Sequence, residues 1–485
     1  MKRLEVDFAV IGSGPAGQKA AIQAAKLGVN VLMIERFNKL GGGCLHSGTI
    51  PSKALREAIL DLGSFSSCRF YANRNVKVNR GQITLDALNQ RLNQILEDES
   101  SIIDRQFQKN NIKTMQAKAS FLSPHELLLE SDNEVTVVKA KKILVATGST
   151  PRNPIEVPFD QETIFDSTRL LKMPEIPNRL IVLGAGIVGT EYSSFFAVLG
   201  TEVILVDKQP HLMQWLDSEV SGHLARCLQE LDLTFLPGAM PEKIWKTKDK
   251  EGKTVACVSL DDGTVLQGDA VLYALGRGAH TQGLDLDKAG VALDQKGFIA
   301  VNSDFQTNVP HIYAAGDVIG PPALAATSIA QGRFAAYHAF AQEKKEKIKK
   351  KKKEKNSVVP IGIYTIPEIS SIGMSEEKLK KEGIRYQVGR AYYYELARAR
   401  ICGERAGLFK VLFCPETLNI LGLHIVGRGA TEVIHIGQIA MELGATLDFF
   451  VDHTFNYPTY AEGYRIAALN GLNKLKQRDV SGDSK

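Results

Sequence analysis

The chain has few cysteines, few tryptophans and no long apolar run. Its 485 residues include six cysteines and two tryptophans. The cysteines stand apart without a CxxC or other paired spacing, which argues against a zinc site and against a secreted disulfide framework. No stretch approaches the roughly 18 uninterrupted apolar residues that a membrane-spanning helix needs. We therefore expect no metal site, no membrane span and a reducing, cytoplasmic location.

Positive charge is concentrated in one segment. The net charge is +5, whereas residues 344–355 (KKEKIKKKKKEK) hold nine lysines and two glutamates and so contribute +7. Subtracting +7 from +5 leaves −2 for the rest of the chain, which argues against a general nucleic-acid-binding surface. The simplest interpretation is an insertion kept solvated by self-repulsion. A tether to a polyanion or a membrane surface is the alternative.

An internal repeat organises the first two thirds of the chain. Residues 8–35 and 180–207 align without a gap at an offset of 172. Each segment contains an apolar strand, a GxGxxG turn, an amphipathic helix ending at a glycine, and a second apolar strand ending in an acid. This order is the dinucleotide fingerprint of a βαβ unit. For a single match, a coincidental glycine-rich turn is the alternative explanation. For two matches in the same context, coincidence is a poor explanation.

The two fingerprints assign a role to each glycine and acid. The first glycine makes the tight turn, the second lets the backbone approach a pyrophosphate, and the third permits close helix packing. The phosphate then meets the positive helix N-terminus, and the acid accepts hydrogen bonds from a ribose hydroxyl. The residues are Gly12, Gly14, Gly17 and Glu35 in the first unit, and Gly184, Gly186, Gly189 and Asp207 in the second.

Residues 41–56 (GGGCLHSGTIPSKALR) resemble the pyridine nucleotide-disulfide oxidoreductase superfamily, whose usual form of this segment is GGTCxNxGCxPSK. Cys44 keeps the first cysteine, but Thr49 occupies the position of the second, so an intramolecular active-site disulfide cannot form. The segments 360–373, 432–438 and 454–475 also resemble the family, and the resemblance as a whole covers about residues 4–475. It is strongest to the members of the family that pass hydride between two pyridine nucleotides.

A second departure lies near the C-terminus. Disulfide reductases of this family carry a His-Pro-Thr-x-x-Glu segment, in which the His, oriented by the Glu, handles thiol protons. Here the segment runs from Tyr457 to Glu462, and a tyrosine with a pKa near 10 is a poor proton acceptor at neutral pH. Loss of both the second thiol and its base removes dithiol chemistry and leaves hydride chemistry. Independent drift at the two sites is the alternative.

The resemblance implies an α/β fold with two Rossmann-like dinucleotide-binding domains, one for FAD and one for NAD(P), and a C-terminal α+β dimerisation domain that forms a homodimer. The expected parts are the first part of the FAD domain (1–150), the NAD(P) domain (151–277), the second part of the FAD domain (278–343), the lysine-rich insertion (344–355) and the dimerisation domain (356–485).

The resemblance also implies an active site. Lys53 is expected beside flavin N5, paired with Glu191, and the predicted catalytic set is completed by Cys44, Tyr457 and Glu462, the last two facing the partner's flavin. Lys53 as a solvated lysine at a helix start is the alternative. Cys44 is either a leftover small residue or a thiol open to oxidation. Further expected cofactor contacts are Arg36, Gly42, Gly43, Cys44, Thr147, Gly148, Lys208, Gly276, Arg277, Gly316, Asp317 and Ala325.

The resemblance, together with the missing second thiol, implies FAD-dependent transfer of hydride from NADPH to NAD⁺, with NAD(H) and NADP(H) as substrates. Because one fingerprint remains for nicotinamide nucleotides once FAD takes the other, the kinetics should be ping-pong. Asp207 favours NAD, and Lys208 is expected to serve the 2′-phosphate of NADP unless it is a plain surface lysine. An NAD(P)H oxidase or quinone reductase is the enzymatic alternative, and a non-catalytic nucleotide-sensing protein is the alternative of another class.

Overall fold

The computed structural model describes residues 2–67, 85–132, 134–173, 175–341 and 359–481. The lysine-rich insertion and Cys68 lie outside the described residues.

The strands are, in chain order, β1 (Lys2–Ile11), β2 (Val31–Glu35), β3 (Lys113–Gln116), β4 (Lys118–Ser123), β5 (Glu126–Glu130), β6 (Val135–Val145), β7 (Ser149–Pro151), β8 (Ile164–Asp166), β9 (Arg179–Leu183), β10 (Glu202–Asp207), β11 (Leu233–Pro237), β12 (Pro241–Lys248), β13 (Thr254–Leu260), β14 (Val265–Gly268), β15 (Ala270–Tyr273), β16 (Arg277–Ala279), β17 (Ile312–Ala314), β18 (Ile361–Ile363), β19 (Ile369–Gly373), β20 (Gln387–Tyr392), β21 (Leu408–Phe413) and β22 (Ile420–Val426).

The α-helices are α1 (Pro15–Lys26), α2 (Gly42–His46), α3 (Thr49–Ser67), α4 (Leu85–Lys109), α5 (Ile187–Val198), α6 (Ser218–Gln229), α7 (Ala325–Ala341), α8 (Glu376–Lys381), α9 (Ala397–Ile401), α10 (Ala430–Glu442), α11 (Phe449–Asp452) and α12 (Glu462–Ser481).

The first sheet has the order β3-β2-β1-β6-β5-β4, and β17 also pairs with β6. Strands β1, β2, β3, β6 and β17 are mutually parallel, whereas β4 and β5 add an antiparallel edge. Every residue of β2 (VLMIE) is buried. A parallel strand covered on both faces reads as a continuous apolar run, which is why the sequence predicts this strand without alternation.

The second sheet repeats this design. Its order is β11-β10-β9-β15-β8, and all of its pairs are parallel. Helix α5 follows β9 as α1 follows β1, and the two turns between strand and helix are the two fingerprints. A three-stranded antiparallel sheet, β12-β13-β14, lies beside it. That small sheet was not predicted from the sequence.

A two-stranded antiparallel ribbon, β7 with β16, lies where the chain passes between the two parallel sheets. Arg277 is paired with Pro151 and Ala279 with Ser149. The expected boundaries at 150/151 and 277/278 fall within this ribbon.

The C-terminal region forms an antiparallel sheet of order β18-β19-β22-β21-β20, flanked by α10 and α12. The apolar segments FKVLF and ILGLHIVG lie in β21 and at β22, and the helices α10 and α12 complete the α+β unit expected for residues 356–485. The structure therefore confirms the predicted fold class of two dinucleotide-binding folds and an α+β C-terminal unit. Among the described residues, no helix is both long and apolar enough to cross a membrane.

Candidate active site

The two fingerprint turns have the same geometry. Gly12 has φ +101° and Gly184 has φ +106°, a left-handed conformation that side chains disfavour. A Cβ atom on Gly17 would lie 1.9 Å from Gly12 O, and one on Gly189 would lie 1.8 Å from Gly184 O. The third glycine of each turn is therefore required because the helix packs directly on the turn.

The middle glycines, Gly14 and Gly186, differ from the others. A Cβ atom on either would meet no atom within 4 Å, and their φ values of −66° and −75° are ordinary. No local clash or backbone strain requires glycine at these positions. Each turn therefore keeps open space beside the N-terminus of a helix, where backbone N–H groups favour an anion such as a pyrophosphate.

The terminal acids are held in the same way in both repeats. Glu35 accepts hydrogen bonds from Ser13 N at 3.0 Å and Phe37 N at 3.2 Å. At the equivalent positions, Asp207 accepts from Ala185 N at 2.6 Å and from Gln209 N at 2.8 Å. Both carboxylates are thus fixed against their own fingerprint turn.

One difference separates the two acids. In the first repeat Ser13 Oγ also donates to Glu35 at 2.6 Å and accepts from Gly41 N at 3.0 Å. Ala185, the equivalent residue of the second repeat, has no hydroxyl group. Glu35 therefore accepts three hydrogen bonds, whereas Asp207 accepts two.

The segment 41–46 closes over the first turn. A Cβ atom on Gly42 would lie 2.8 Å from Gly14 Cα, so the start of α2, which also contains Gly43, touches the fingerprint backbone. Gly148 has φ +72° and open space at its Cβ position. The predicted first nucleotide site therefore combines tightly packed glycines, such as Gly42, with an open one, Gly148.

Two further predicted residues, Thr147 and Arg36, both contact His280. Thr147 Oγ1 donates to His280 O at 2.7 Å, and Arg36 Nη1 lies 2.9 Å from His280 Nε2. Burial, together with the neighbouring Arg36, lowers the pKa of His280. The neutral imidazole therefore accepts the hydrogen bond from Arg36.

Asp317 is tied to the interdomain ribbon. Ser149 Oγ donates to Asp317 Oδ2 at 2.8 Å, and Arg277 Nε donates to Ser149 Oγ at 2.9 Å. The preceding residue, Gly316, has φ +84° and lies close to Ala16 of α1. Asp317 thus lies at the carboxyl end of β17, the edge where parallel sheets place their ligands.

The remaining predicted cofactor contacts lie outside the hydrogen-bond networks of His280 and Asp317. Ala325 begins α7, the helix that packs on α1. Gly276 has φ +111° and directly precedes the ribbon strand β16. Lys208 is exposed, next to Asp207 at the end of β10.

Lys53 and Glu191 form a close ion pair. Lys53 Nζ lies 3.0 Å and 2.7 Å from the two carboxylate oxygens of Glu191. The Lys53 side chain is 23% exposed and that of Glu191 only 4%. Because the buried carboxylate of Glu191 contacts Lys53, the alternative that Lys53 is a freely solvated lysine at a helix start does not fit.

A residue from the C-terminal region completes this pair. Tyr364 N donates to Glu191 Oε1 at 2.8 Å, and Lys53 Nζ lies 4.9 Å from the centroid of the Tyr364 ring. The ring can therefore favour the ammonium through a cation–π interaction. The pair thus joins α3, α5 and the loop before β19.

The same loop is fastened by a second, more deeply buried network. Arg56 Nη2 donates to Glu368 Oε1 at 2.9 Å, and Glu368 Oε2 accepts from Thr431 Oγ1 at 2.8 Å. Tyr364, Arg56 and Glu368 were missed as site residues by the sequence reasoning. The sequence does contain one indication, because residues 360–373 resemble a segment of the family. The resemblance assigns no role to the individual residues of that segment.

Cys44 faces the residue that replaces a second cysteine. Burial raises the pKa of the Cys44 thiol, and nearby Asp317 adds to the rise. The nearby Thr49 side chain acts to lower the pKa of this thiol, as does Lys53. The cysteines of the described residues are free, and the described residues contain no His, Cys, Asp and Glu cluster suited to a metal.

Tyr457 and Glu462 lie apart from the Lys53 pair within one chain. Tyr457 is 65% exposed and directly precedes Pro458. Glu462 begins α12, and its Oε2 atom is buried without a hydrogen-bond partner among the described residues. Neither residue contacts Lys53 or Cys44 in the single chain.

Comparisons with known proteins identify the family. The family described as pyridine nucleotide-disulphide oxidoreductase matches residues 6–332, and the dimerisation domain of the same family matches residues 359–468.

Proteins named soluble pyridine nucleotide transhydrogenase are similar over their whole length. That of Mycobacterium tuberculosis is 42% identical over 97% of this chain and 98% of its own. That of Photobacterium profundum is 40% identical over 98% and 99%. Among solved structures, LpdA from Mycobacterium tuberculosis aligns with a TM-score of 0.84 at 24% identity, covering 97% of this chain and 99% of its own.

The HOCl-induced flavoprotein disulfide reductase RclA from Escherichia coli aligns with a TM-score of 0.83 at 24% identity, covering 96% of this chain and 99% of its own. These structural likenesses support the fold. Together with the repeated fingerprints and the matched C-terminal region, the comparisons lead to one conclusion: the chain belongs to the pyridine nucleotide-disulphide oxidoreductase family.

Proposed function

We propose that this protein is an FAD-dependent NAD(P)⁺ transhydrogenase that converts NADPH and NAD⁺ into NADP⁺ and NADH. The observation that carries the proposal is the pairing of Cys44 with Thr49 at the position where a dithiol would lie. Without a second thiol, electrons cannot pass to an active-site disulfide. The names of the relatives that are about 40% identical support the same reaction.

The first nucleotide site fits FAD. The fit rests on the open space beside Gly14 and Gly148, while Gly12, Gly17 and Gly42 are packed too tightly for any side chain. When bound, the flavin supplies a ring that accepts hydride from one nicotinamide and gives it to another. The residues that would hold it are Gly12, Gly14, Gly17, Glu35, Arg36, Gly42, Gly43, Cys44, Thr147, Gly148, Gly316, Asp317 and Ala325.

Lys53 supplies the positive charge at the redox centre. Its ammonium is kept in place by Glu191 at 2.7 Å and by the Tyr364 ring. A fixed cation at this position stabilises the negative charge that develops during hydride transfer. The carboxylate of Glu191 keeps the lysine ordered, so the lysine need not reorganise during the reaction. Lys53 is therefore the proposed catalytic residue, and Glu191 positions it.

The second repeat is the proposed site for both nicotinamide nucleotides. Gly184, Gly186 and Gly189 would hold the pyrophosphate, beside Gly276 and Arg277 of the ribbon. Because the described residues contain only two fingerprint turns of this kind and FAD takes one, NADP⁺ must leave before NAD⁺ binds. Initial-rate kinetics are then ping-pong.

Asp207 and Lys208 account for the use of both nucleotides. Asp207 accepts only two backbone hydrogen bonds, so its carboxylate has lone pairs left for the ribose hydroxyls of NAD. The 2′-phosphate of NADP would be repelled there by the like charge. Lys208, exposed and adjacent, supplies the compensating cation.

We further propose a homodimer formed through the C-terminal region. Exposed apolar side chains support this, including Ile439 at 59% and Leu443 at 80%, which lie one helical turn apart at the end of α10. In such a dimer Tyr457 and Glu462 would approach the partner's flavin site. Tyrosine there cannot serve as the thiol base of disulfide reductases.

Anaerobic mixing of the purified protein with NADPH and thio-NAD⁺ tests the proposal. Thio-NADH should form without oxygen or any added quinone. A protein that oxidises NADPH only when oxygen or quinone is present would instead be the oxidase or quinone reductase of the same family. A purified protein without bound flavin would favour the non-catalytic alternative.

A further inference from the structure

Lys410 is a buried lysine that the proposed reaction does not use. Its side chain is 0% exposed, and its Nζ contacts three carboxylates: Asp217 at 2.8 Å, Glu219 at 2.9 Å and Glu376 at 2.6 Å. A buried ammonium is tolerated only when charged partners satisfy it. We call Lys410, Asp217, Glu219 and Glu376 the Lys410 cluster.

The Lys410 cluster joins two regions of the protein. Lys410 lies on β21 and Glu376 on α8, both in the C-terminal region, whereas Asp217 and Glu219 lie at the start of α6, beside the second parallel sheet. Asp217 caps α6 by accepting from Glu219 N and Val220 N. Its second oxygen accepts from Glu376 N at 3.2 Å.

The cap residue is one end of a loop whose other end is Asp207. Within residues 207–217, Met213 N donates to Ala185 O at 3.1 Å, and Asp207 accepts from Ala185 N at 2.6 Å. Ala185 lies between the first two glycines of the second fingerprint. Leu212 O also accepts from Ser221 Oγ of α6 at 2.6 Å. The loop is therefore fastened to the fingerprint on one side and to α6 on the other.

We infer that Lys410, a residue of the C-terminal region, positions the loop 207–217 and thereby sets the affinity of the second repeat for nicotinamide nucleotides. It acts through Asp217, which fixes where the loop ends, while Asp207 and Lys208 lie at its beginning. Lys410 itself does not touch the nucleotide. The inference rests on the proposed function only in assigning nicotinamide nucleotides to this repeat.

The geometry favours a positioning role because the buried ammonium of Lys410 contacts Asp217, the last residue of the loop 207–217. Removal of the ammonium would leave Asp217, also 0% exposed in its side chain, without a cationic partner, beside two other carboxylates. Repulsion among the three carboxylates of Asp217, Glu219 and Glu376 would then displace Asp217. The displacement would be passed to Leu212, Met213 and the ribose acid.

The test uses the purified flavin-containing protein with the variant Lys410→Met, which keeps the side-chain length and removes the charge. The Kd for NAD⁺ and for NADP⁺ is measured by direct titration of the oxidised enzyme, and flavin reduction by saturating NADPH is measured separately. We expect both Kd values to rise about tenfold, while the limiting rate of reduction stays within about twofold of the native rate.

Arg390→Met is the matched control. Arg390 also joins β20 to Glu219 of α6, with Nε at 2.7 Å and Nη2 at 2.9 Å, but it does not contact Asp217. Its loss should leave both Kd values within about twofold of native. If Lys410→Met fails to fold, Asp217→Asn decides, because it breaks the ion pair through which Lys410 acts, keeps a side-chain oxygen for the cap of α6, and should raise both Kd values about threefold.

Two outcomes would overturn the inference. One is unchanged Kd values in folded Lys410→Met, or in Asp217→Asn when it is the deciding variant; the other is an equal rise in Arg390→Met. The first would mean that the Lys410 cluster contributes only to stability. Because nucleotide binding is titrated without turnover, failure of transhydrogenation in the native protein would refute the proposed function and leave this result intact.

Discussion

Glu191 joins Lys53 to the C-terminal region, because its carboxylate accepts both the Lys53 ammonium at 2.7 Å and the backbone N–H of Tyr364 at 2.8 Å. The three residues come from parts of the chain far apart in sequence. The proposed redox centre is therefore assembled only when all three regions are folded together.

Replacing Lys53 should slow flavin reduction without unfolding the protein. Lys53→Ala removes the charge that we propose to lie beside the reacting atoms, and loss of one preorganised donor typically costs about 100-fold in rate. Glu191→Gln keeps an oxygen for Tyr364 N and should cost roughly tenfold, since a charge-assisted contact is weakened and not abolished. Stopped-flow reduction by NADPH measures both. A native rate in Lys53→Ala would remove this residue from the mechanism.

Two glycines of the second fingerprint should respond differently to the same substitution. Gly189→Ala forces a methyl group to within 1.8 Å of Gly184 O, so the free energy of unfolding should fall by about 1–3 kcal/mol or more. Gly186→Ala meets no atom within 4 Å and should leave the unfolding temperature unchanged. Its methyl group would occupy space needed by the pyrophosphate, so NAD(P)⁺ should bind about tenfold more weakly, or 1.4 kcal/mol.

Thermal unfolding and nucleotide titration distinguish these two substitutions. Equal stability loss in both variants would show that the open space at Gly186 is not available for a ligand. Native nucleotide affinity in Gly186→Ala would show that the pyrophosphate lies elsewhere.

Lys208 should matter for one nucleotide only. Lys208→Ala removes the cation proposed for the 2′-phosphate, so the Kd for NADP⁺ should rise about tenfold, the value of a modest charge-assisted hydrogen bond. The Kd for NAD⁺ should not change. Lys208→Arg, which keeps the charge, is the control and should retain NADP⁺ binding. Equal effects on both nucleotides would assign another role to Lys208.

Cys44 should be dispensable and slow to react. Burial raises the pKa of its thiol, so the reactive thiolate is scarcer at neutral pH than for an ordinary cysteine. Cys44→Ser should keep full transhydrogenation. Alkylation of Cys44 by iodoacetamide, measured by peptide mass spectrometry, should become fast only at a higher pH than the alkylation of a free cysteine. Rapid alkylation at pH 7 with loss of activity in Cys44→Ser would assign the thiol a redox role.

Much of the fold follows from the sequence because its signals are local. The GxGxxG turns need positive φ at Gly12 and Gly184 and close helix contact at Gly17 and Gly189, and the structure shows both. Continuous apolar runs predict the buried parallel strands. The terminal acids end β2 and β10 as predicted.

Contacts between distant segments could not be predicted in this way. The sequence marks Lys410 as a single charge within an apolar strand, but its three carboxylate partners come from two other elements. Tyr364 likewise reaches Lys53 only through the tertiary fold. The small antiparallel sheet β12-β13-β14 was missed, although Asp262-Gly263 between β13 and β14 is a typical hairpin turn.

The central claim is that each chain has one electron reservoir, because Thr49 stands where a second thiol would be needed. Anaerobic reductive titration tests this most directly. We expect about two electrons per chain at full reduction, the capacity of one flavin, without a long-wavelength thiolate-to-flavin band. Uptake of about four electrons per chain, with such a band at the midpoint, would show a second redox couple and contradict the account.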